Sequence, residues 1–170
     1  MIILNSELND ITAIFKLYQL ATDFQKIKFP GNLWPVFGKE LIIQEINENR
    51  QFKIVIDHKI ACIWAITYQD AQIWEDSENE SALYIHRIAT NPEFRGRNFV
   101  QSIVDWSKNF AQKQNINFIR LDTCGRNDQL INHYKKCGFN FLGMKKLKNT
   151  SELPSHYHDA EVCYFEIELA

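Results

Sequence analysis

The sequence predicts a single α/β domain spanning residues 1–170, with a twisted, mixed and largely antiparallel sheet flanked by helices. Three observations predict it. Segments of strand and helix character follow one another in the order β-α-α-β-β-β-α-β-α-β-β. One strand, around Cys62–Ile66, is apolar on both faces, as expected of a central strand. Nothing along the 170 residues resembles a linker or an internal repeat, and this length fits one domain.

The elements follow in chain order. Met1–Leu4 is a short apolar run, and Asn5, Ser6, Asn9 and Asp10 after it offer helix N-caps. Ile11, Ile14, Phe15, Tyr18 and Ala21 recur at helical spacing and predict a first helix running to about Phe24. Phe29–Pro35 is a breaker-rich loop carrying two aromatics, after which Phe37, Leu41, Ile42 and Ile46 predict a second helix. Phe52–Asp57 and Ile60–Tyr68 read as a hairpin around a tight turn at His58 and Lys59. The polar stretch Glu75–Ser81 is a surface loop, with Glu75, Asp76, Glu78 and Glu80 as a solvated acidic face, and Leu83–Thr90 is the next strand. Asn98–Gln114 is an amphipathic helix with Phe99, Ile103, Trp106 and Phe110 on one stripe and Val100, Val104 and Ala111 beside it. Ile116–Asp122 is a strand and Asp128–Cys137 a short helix stopped by Gly138. Phe139–Leu147 and Glu161–Leu169 form the last two strands. The final one alternates, with Cys163, Phe165, Ile167 and Leu169 on one side and Tyr164, Glu166 and Glu168 on the other.

Composition narrows the function classes. Hydrophobic residues make up 45% of the chain, enough for one sizeable core rather than a disordered segment. The net charge of −2 gives no support to a nucleic-acid or anionic-membrane partner. No apolar run approaches the ~20 residues that span a bilayer. Cys62, Cys124, Cys137 and Cys163 contain no C-x-x-C pair, and the start of the chain lacks a basic n-region and an apolar h-region. The expectation is four reduced cysteines in a soluble cytoplasmic protein.

The segment Ile85-His86-Arg87-Ile88-Ala89-Thr90-Asn91-Pro92-Glu93-Phe94-Arg95-Gly96-Arg97-Asn98-Phe99-Val100 carries the strongest chemical signal. A strand leads through a proline turn and an Arg-Gly-Arg loop into a helix. Backbone N–H groups and the positive end of the helix dipole converge there, which suits a phosphate or pyrophosphate. Arg95 and Arg97 add positive charge. Taken alone, such a loop also fits a solvated turn before a helix.

Together with Asn127 and Tyr134-Lys135-Lys136-Cys137-Gly138-Phe139, this segment resembles the GNAT superfamily of N-acetyltransferases, over roughly residues 83–139. The resemblance implies acetyl-CoA as co-substrate and no metal. It implies that the loop Arg95, Gly96, Arg97, Asn98, Phe99 and Val100 holds the pyrophosphate. The family motif reads Arg/Gln-x-x-Gly-x-Gly/Ala; aligned on Arg95, this chain has Asn98 and Val100 at the two small positions. Asn tolerates left-handed backbone angles, whereas the β-branched Val100 crowds a phosphate near the first helical turn. By resemblance, the backbone of Ile88, Ala89 and Thr90 holds the pantetheine arm where the fourth and fifth strands part. An amide N–H there polarises the thioester carbonyl. Asn127 joins the cofactor-binding set, and Tyr134 matches the family tyrosine that contacts CoA and protonates the leaving thiolate.

The implied reaction is direct attack by a neutral amine, of a small molecule or a peptide, on the bound thioester. The base is not fixed by any motif. His86, two residues before Ile88, is the candidate, with Glu161, His156 and His158 as further groups on the acceptor side. Tyr84 shares a strand face with His86, and Phe29, Trp34 and Phe37 are candidates to cap the acceptor pocket. His156-Tyr157-His158 with Cys163 lacks zinc-ligand spacing. Cys124 and Cys137 read as small buried hydrophobes rather than nucleophiles. Two other readings stay open: a CoA-binding module that senses acyl-CoA without turnover, motivated by Val100, and a subunit acting on a lysine or N-terminus of a partner protein. The oligomeric state is open too, a homodimer included.

Overall fold

A computed structural model describes residues 1–31, 33–75, 80–148, 150–151, 153–158 and 160–169. Asp76 and Glu78 of the acidic loop therefore lie outside the described residues, as does Asn32 of the loop before the second helix. The elements are β1 (Ile2–Asn5), α1 (Ile11–Lys28), α2 (Lys39–Asn47), β2 (Gln51–Ile56), β3 (Lys59–Thr67), β4 (Ala82–Thr90), α3 (Phe99–Lys113), β5 (Phe118–Cys124), α4 (Asp128–Lys136), β6 (Asn140–Lys146) and β7 (Glu161–Glu168). Their order is the one the sequence predicts. The strands form one sheet in the order β1-β2-β3-β4-β5-β7-β6. β4 and β5 run parallel, whereas β1–β2, β2–β3, β5–β7 and β6–β7 are antiparallel. No helix among the described residues is long and apolar enough to cross a membrane.

Backbone contacts gather the chain into two compact units, Met1–Ile66 with His86–Phe99 and Thr67–Ile85 with Val100–Ala170. In the first, α1 contributes Ile14, Leu17 and Tyr18, and α2 contributes Ile42 and Ile46, to a core with Ile63 and Ala89. The run Ala61–Ile66 of β3 is buried on both faces, as its composition predicts. The hairpin turn sits one residue earlier than predicted. Asp57 and His58 take φ of 48° and 63°, and Lys59 already pairs with Ile56. Two left-handed residues give the turn the twist that flanking strands need, and Asp accepts that conformation more readily than Lys. α1 also runs past Phe24 to Lys28, because Gln25, Lys26 and Lys28 sustain a helix without apolar periodicity.

In the second unit, Trp74, Tyr84, Leu147, Val162 and Tyr164 belong to one buried cluster. β7 lies between β5 and β6, so Val162, Cys163, Tyr164 and Phe165 are all buried, and the alternation predicted for this strand does not translate into one wet face. Arg120 is buried, pairs with Glu166 at 2.7 Å and with Glu80, and lies over the Trp74 and Phe118 rings. Glu80, exposed as expected, thus also pairs with a buried cation. Gly138, at φ 100°, ends α4, and the amide of Phe139 reaches back to the Tyr134 carbonyl at 3.1 Å. In β6 the register shifts around Leu142, which is 52% exposed, with Gly143 at φ 104°.

Candidate active site

The first unit contains the end of β4 and the loop that leads to α3. Asn91 closes the strand: its amide N–H bonds the Ala61 carbonyl at 2.9 Å and its side-chain amide bonds the Ile60 carbonyl at 3.1 Å. Its side-chain oxygen accepts from the Glu93 amide at 3.1 Å, capping the short turn Pro92–Phe94. Lys59 adds an exposed pair with Glu93 at 2.9 Å. The chain then passes through Gly96 at φ 82° and Asn98 at φ 50° before α3 begins at Phe99. Asn98 takes the left-handed conformation that Asn tolerates better than most residues. Arg95, Gly96, Arg97 and Asn98 are exposed, Phe99 is buried and Val100 is half-buried. The Arg95 guanidinium rests 4.3 Å above the Phe24 ring, and that of Arg97 lies 5.5 Å from the Phe94 ring.

Upstream, Ile88 and Thr90 are half-buried and Ala89 is buried in the core. Arg87 breaks the strand's regularity with φ 52°. A non-glycine residue held there inside a strand is strained, and the side chain shows what holds it. Its guanidinium pairs with Glu45, donates to the Tyr18 hydroxyl at 3.4 Å and lies 5.2 Å from the Phe37 ring. Glu45 is 1% exposed. Trp34 and Phe37 pack on Tyr18 at ring separations of 6.0 and 5.0 Å, while Phe29 stands 40% exposed. The His86 imidazole is half-buried and pushed down to about 3 by burial, then by Arg87 and Arg50. It is therefore neutral at pH 7, but a weak proton acceptor.

The second unit holds the remaining candidates. Asn127 caps α4, its side-chain oxygen accepting from the Leu130 amide at 3.1 Å. The Tyr134 ring is 8% exposed and packs against Phe165 at 5.0 Å and Phe139 at 5.9 Å. Tyr84 is buried in the core, where its hydroxyl accepts from Arg120 at 3.3 Å, so it lines no surface. The His158 ring nitrogen lies 2.9 Å from the Leu153 carbonyl, His156 is pushed down to about 4 by burial and by His158, and Glu161 is exposed. Burial pushes the Cys124 thiol up to about 12, helped by Asp122 and Cys163, and Cys137 is buried. The Cys124 thiol therefore carries almost no thiolate near neutrality.

Residues 16–139 match the model of the acetyltransferase (GNAT) family. The chain belongs to the GNAT family. That family is one of acetyltransferases. The chain is 28% identical over 74 residues to the uncharacterized N-acetyltransferase YesJ of Bacillus subtilis (strain 168), a match covering 44% of this chain and 41% of that protein. The chain also superposes on a crystal structure of a GNAT-family acetyltransferase from Listeria monocytogenes 4b F2365, with a TM-score of 0.76 and 20% identity, over 99% of this chain and 94% of that one. The structure of YncA from Salmonella typhimurium, solved with its cofactor acetyl-CoA, gives a TM-score of 0.70 at 9% identity, over 100% and 94% of the two chains. At such identities the structural likeness shows the GNAT fold alone.

Two features of this GNAT chain escape the sequence reading. One is the Arg87–Glu45–Tyr18 clamp, whose signal was an acid on the apolar stripe of α2, between Ile42 and Ile46. The other is Asp122 on β5. It accepts a hydrogen bond from the Tyr157 hydroxyl at 2.8 Å, and its carboxylate lies within 4.8 Å of that of Asp70. Burial pushes Asp122 up to about 6, against the Tyr157 hydrogen bond, and burial with the neighbouring Asp122 charge pushes Asp70 up to about 8. An acid inside a mostly apolar strand was the available signal there.

Proposed function

We propose that this GNAT enzyme transfers an acetyl group from acetyl-CoA to a primary amine of a small molecule or peptide, by direct attack within a ternary complex. The observation that carries the reading is the route from β4 into α3. Two left-handed residues, Gly96 and Asn98, turn the chain so that the first amides of an α-helix follow directly on a loop bearing Arg95 and Arg97. Amides without intrahelical acceptors, beside the positive end of a helix dipole, suit a pyrophosphate. The acetyl-CoA bound by the fold neighbour YncA supports the same assignment.

In this reading Arg95, Gly96, Arg97, Asn98, Phe99 and Val100 hold the pyrophosphate, and the backbone of Ile88, Ala89 and Thr90 pairs with the pantetheine arm. The strained Arg87 changes the direction of β4 just before these residues, which supports an amide at Ile88 aimed out of the regular ladder. Asn127 fixes the start of α4, and Tyr134, on that helix, protonates the departing thiolate. His86, uncharged at neutral pH, lines this stretch of β4. Four cysteines without a disulfide accord with a reducing, cytoplasmic setting.

Calorimetry with acetyl-CoA, followed by thiol release over a panel of primary amines, tests the proposal. Binding weakened at least several-fold by Arg95→Ala or Arg97→Ala, together with turnover of some amine, is the expected result. No interaction at millimolar acetyl-CoA overturns it.

A further inference from the structure

We propose that Asp122, oriented by the Tyr157 hydroxyl, is the base that removes the proton from the acceptor amine. The inference rests on the acetyl-transfer reading above and supplies the one group the sequence left unassigned. It starts from β5. The parallel ladder between β4 and β5 pairs Ala82 with Phe118, Leu83 with Ile119 and Tyr84 with Arg120. Asp122 stands two residues past the last of these pairs, on the same strand face as Arg120. There it lies opposite Tyr164 in the β5–β7 ladder, beside the Trp74, Tyr84 and Tyr164 cluster against which Tyr157 packs.

The company Asp122 keeps sets it apart. The carboxylates of Asp10, Glu45 and Glu166 are each matched by a Lys or Arg. Asp122 meets a phenol hydroxyl and a second carboxylate instead. Holding two carboxylates together costs stability, and such an arrangement is informative about function. Asp122 is half-buried. Its rise to about 6 keeps it ionised at pH 7 while making it a stronger proton acceptor than an ordinary carboxylate, and stronger than His86. The Tyr157 hydrogen bond engages one carboxylate oxygen and fixes the group's orientation, which makes Tyr157 a positioning residue.

The step balances. The amine lone pair attacks the thioester carbonyl carbon and forms the C–N bond. The proton on the attacking nitrogen passes to Asp122. The C–S bond breaks with its electron pair on sulfur, and Tyr134 supplies the proton that makes the free thiol. Asp122 and Tyr134 then regain their starting states by exchange with solvent.

The experiment compares wild type with Asp122→Asn, Asp122→Glu and Tyr157→Phe. It uses an amine that wild type acetylates, measures kcat at saturating acetyl-CoA, and measures acetyl-CoA affinity separately by calorimetry. Asp122→Asn is expected to lower kcat by ~10²–10⁴-fold while acetyl-CoA affinity stays within about twofold. Asp122→Glu is expected to recover part of that loss, and Tyr157→Phe to lose less than Asp122→Asn. A folded Asp122→Asn with kcat within a few-fold of wild type overturns the assignment and leaves the acetyl-transfer reading standing. A loss confined to acetyl-CoA affinity, or an Asp122→Glu no better than Asp122→Asn, overturns it as well. A wild type that turns over no amine overturns the acetyl-transfer reading itself.

Discussion

Replacing Asp70 with Asn tests whether the second unit holds this carboxyl protonated at neutral pH. Burial, and then the neighbouring Asp122, raise the Asp70 carboxyl from the usual 3.8 to about 8. The sign follows from proton uptake. Below pH 3.8 the group is protonated in the folded and unfolded chains alike and contributes no difference. From there to about pH 8 the folded chain holds a proton that the unfolded chain releases, so stability falls as pH rises. The slope is about 1.4 kcal/mol per pH unit, which amounts to about 3 kcal/mol between pH 5 and pH 7. Asn keeps the shape and cannot ionise. Whatever its own hydrogen bonds cost is the same at both pH values.

The advantage of Asp70→Asn over wild type is therefore expected to grow by about 3 kcal/mol from pH 5 to pH 7. For a chain of this size that is roughly 6–12 °C in relative Tm. Differential scanning fluorimetry of both proteins at the two pH values reads it directly, with chemical denaturation as a check on the free energy. A Tm difference that stays constant across the two pH values refutes the reasoning, because it means that Asp70 is ionised in the fold throughout. A difference that shrinks with rising pH also refutes it, since it means that the fold prefers the carboxylate.

Three further outcomes are expected. Tyr134→Phe keeps the ring that packs on Phe165 and Phe139 and removes only the hydroxyl, so kcat should fall by ~10²–10⁴-fold with acetyl-CoA affinity near wild type; equal rates under a rate-limiting chemical step would take Tyr134 out of the mechanism. Val100→Ala relieves crowding at the first turn of α3 and should tighten acetyl-CoA binding in calorimetry; unchanged or weaker binding in a folded variant means that the side chain points away from the phosphate. Glu45→Ala leaves Arg87 without its buried partner and should destabilise the fold by about 3–5 kcal/mol in chemical denaturation, whereas a loss under about 1 kcal/mol would show that the pair is not held as a buried charge.

The parts of this protein that were legible in its sequence are those set by neighbours along the chain. Cys62–Ile66 announced a central strand by being apolar on both faces, Gly138 announced the end of α4, and Asn98 took the left-handed angle for which Asn is suited. Errors of boundary came where local rules compete. The hairpin turn moved to Asp57 and His58, and α1 outran its last apolar residue. What the sequence hid is long-range pairing of polar groups. Asp122 and Tyr157 lie 35 residues apart, and Arg87 and Glu45 lie 42 apart. Each reads as an ordinary polar residue in its own window. No periodicity records that they meet, because a single hydrogen bond or ion pair constrains two positions and leaves their neighbours free.

The two hidden clusters also differ in how their charges are balanced, and the difference separates support from chemistry. Around Arg87 the charges cancel. A buried carboxylate, a phenol and an aromatic face hold one guanidinium from several sides and stabilise a strained turn of β4. Around Asp122 carboxyl groups repeat. Two carboxylates lie within 4.8 Å, and both are pushed above their ordinary range. A neutralised cluster resists protonation changes and suits a scaffold, because moving a proton there would strand a buried charge. A pair of carboxyl groups sharing one site sits close to a protonation change already, so gaining or losing one proton costs little near neutral pH. That property is wanted where an ammonium proton must be taken up on each turnover. Substitution should expose the contrast: neutralising the first cluster costs stability, whereas neutralising Asp70 or Asp122 gains it, with Asp122→Asn losing turnover in exchange.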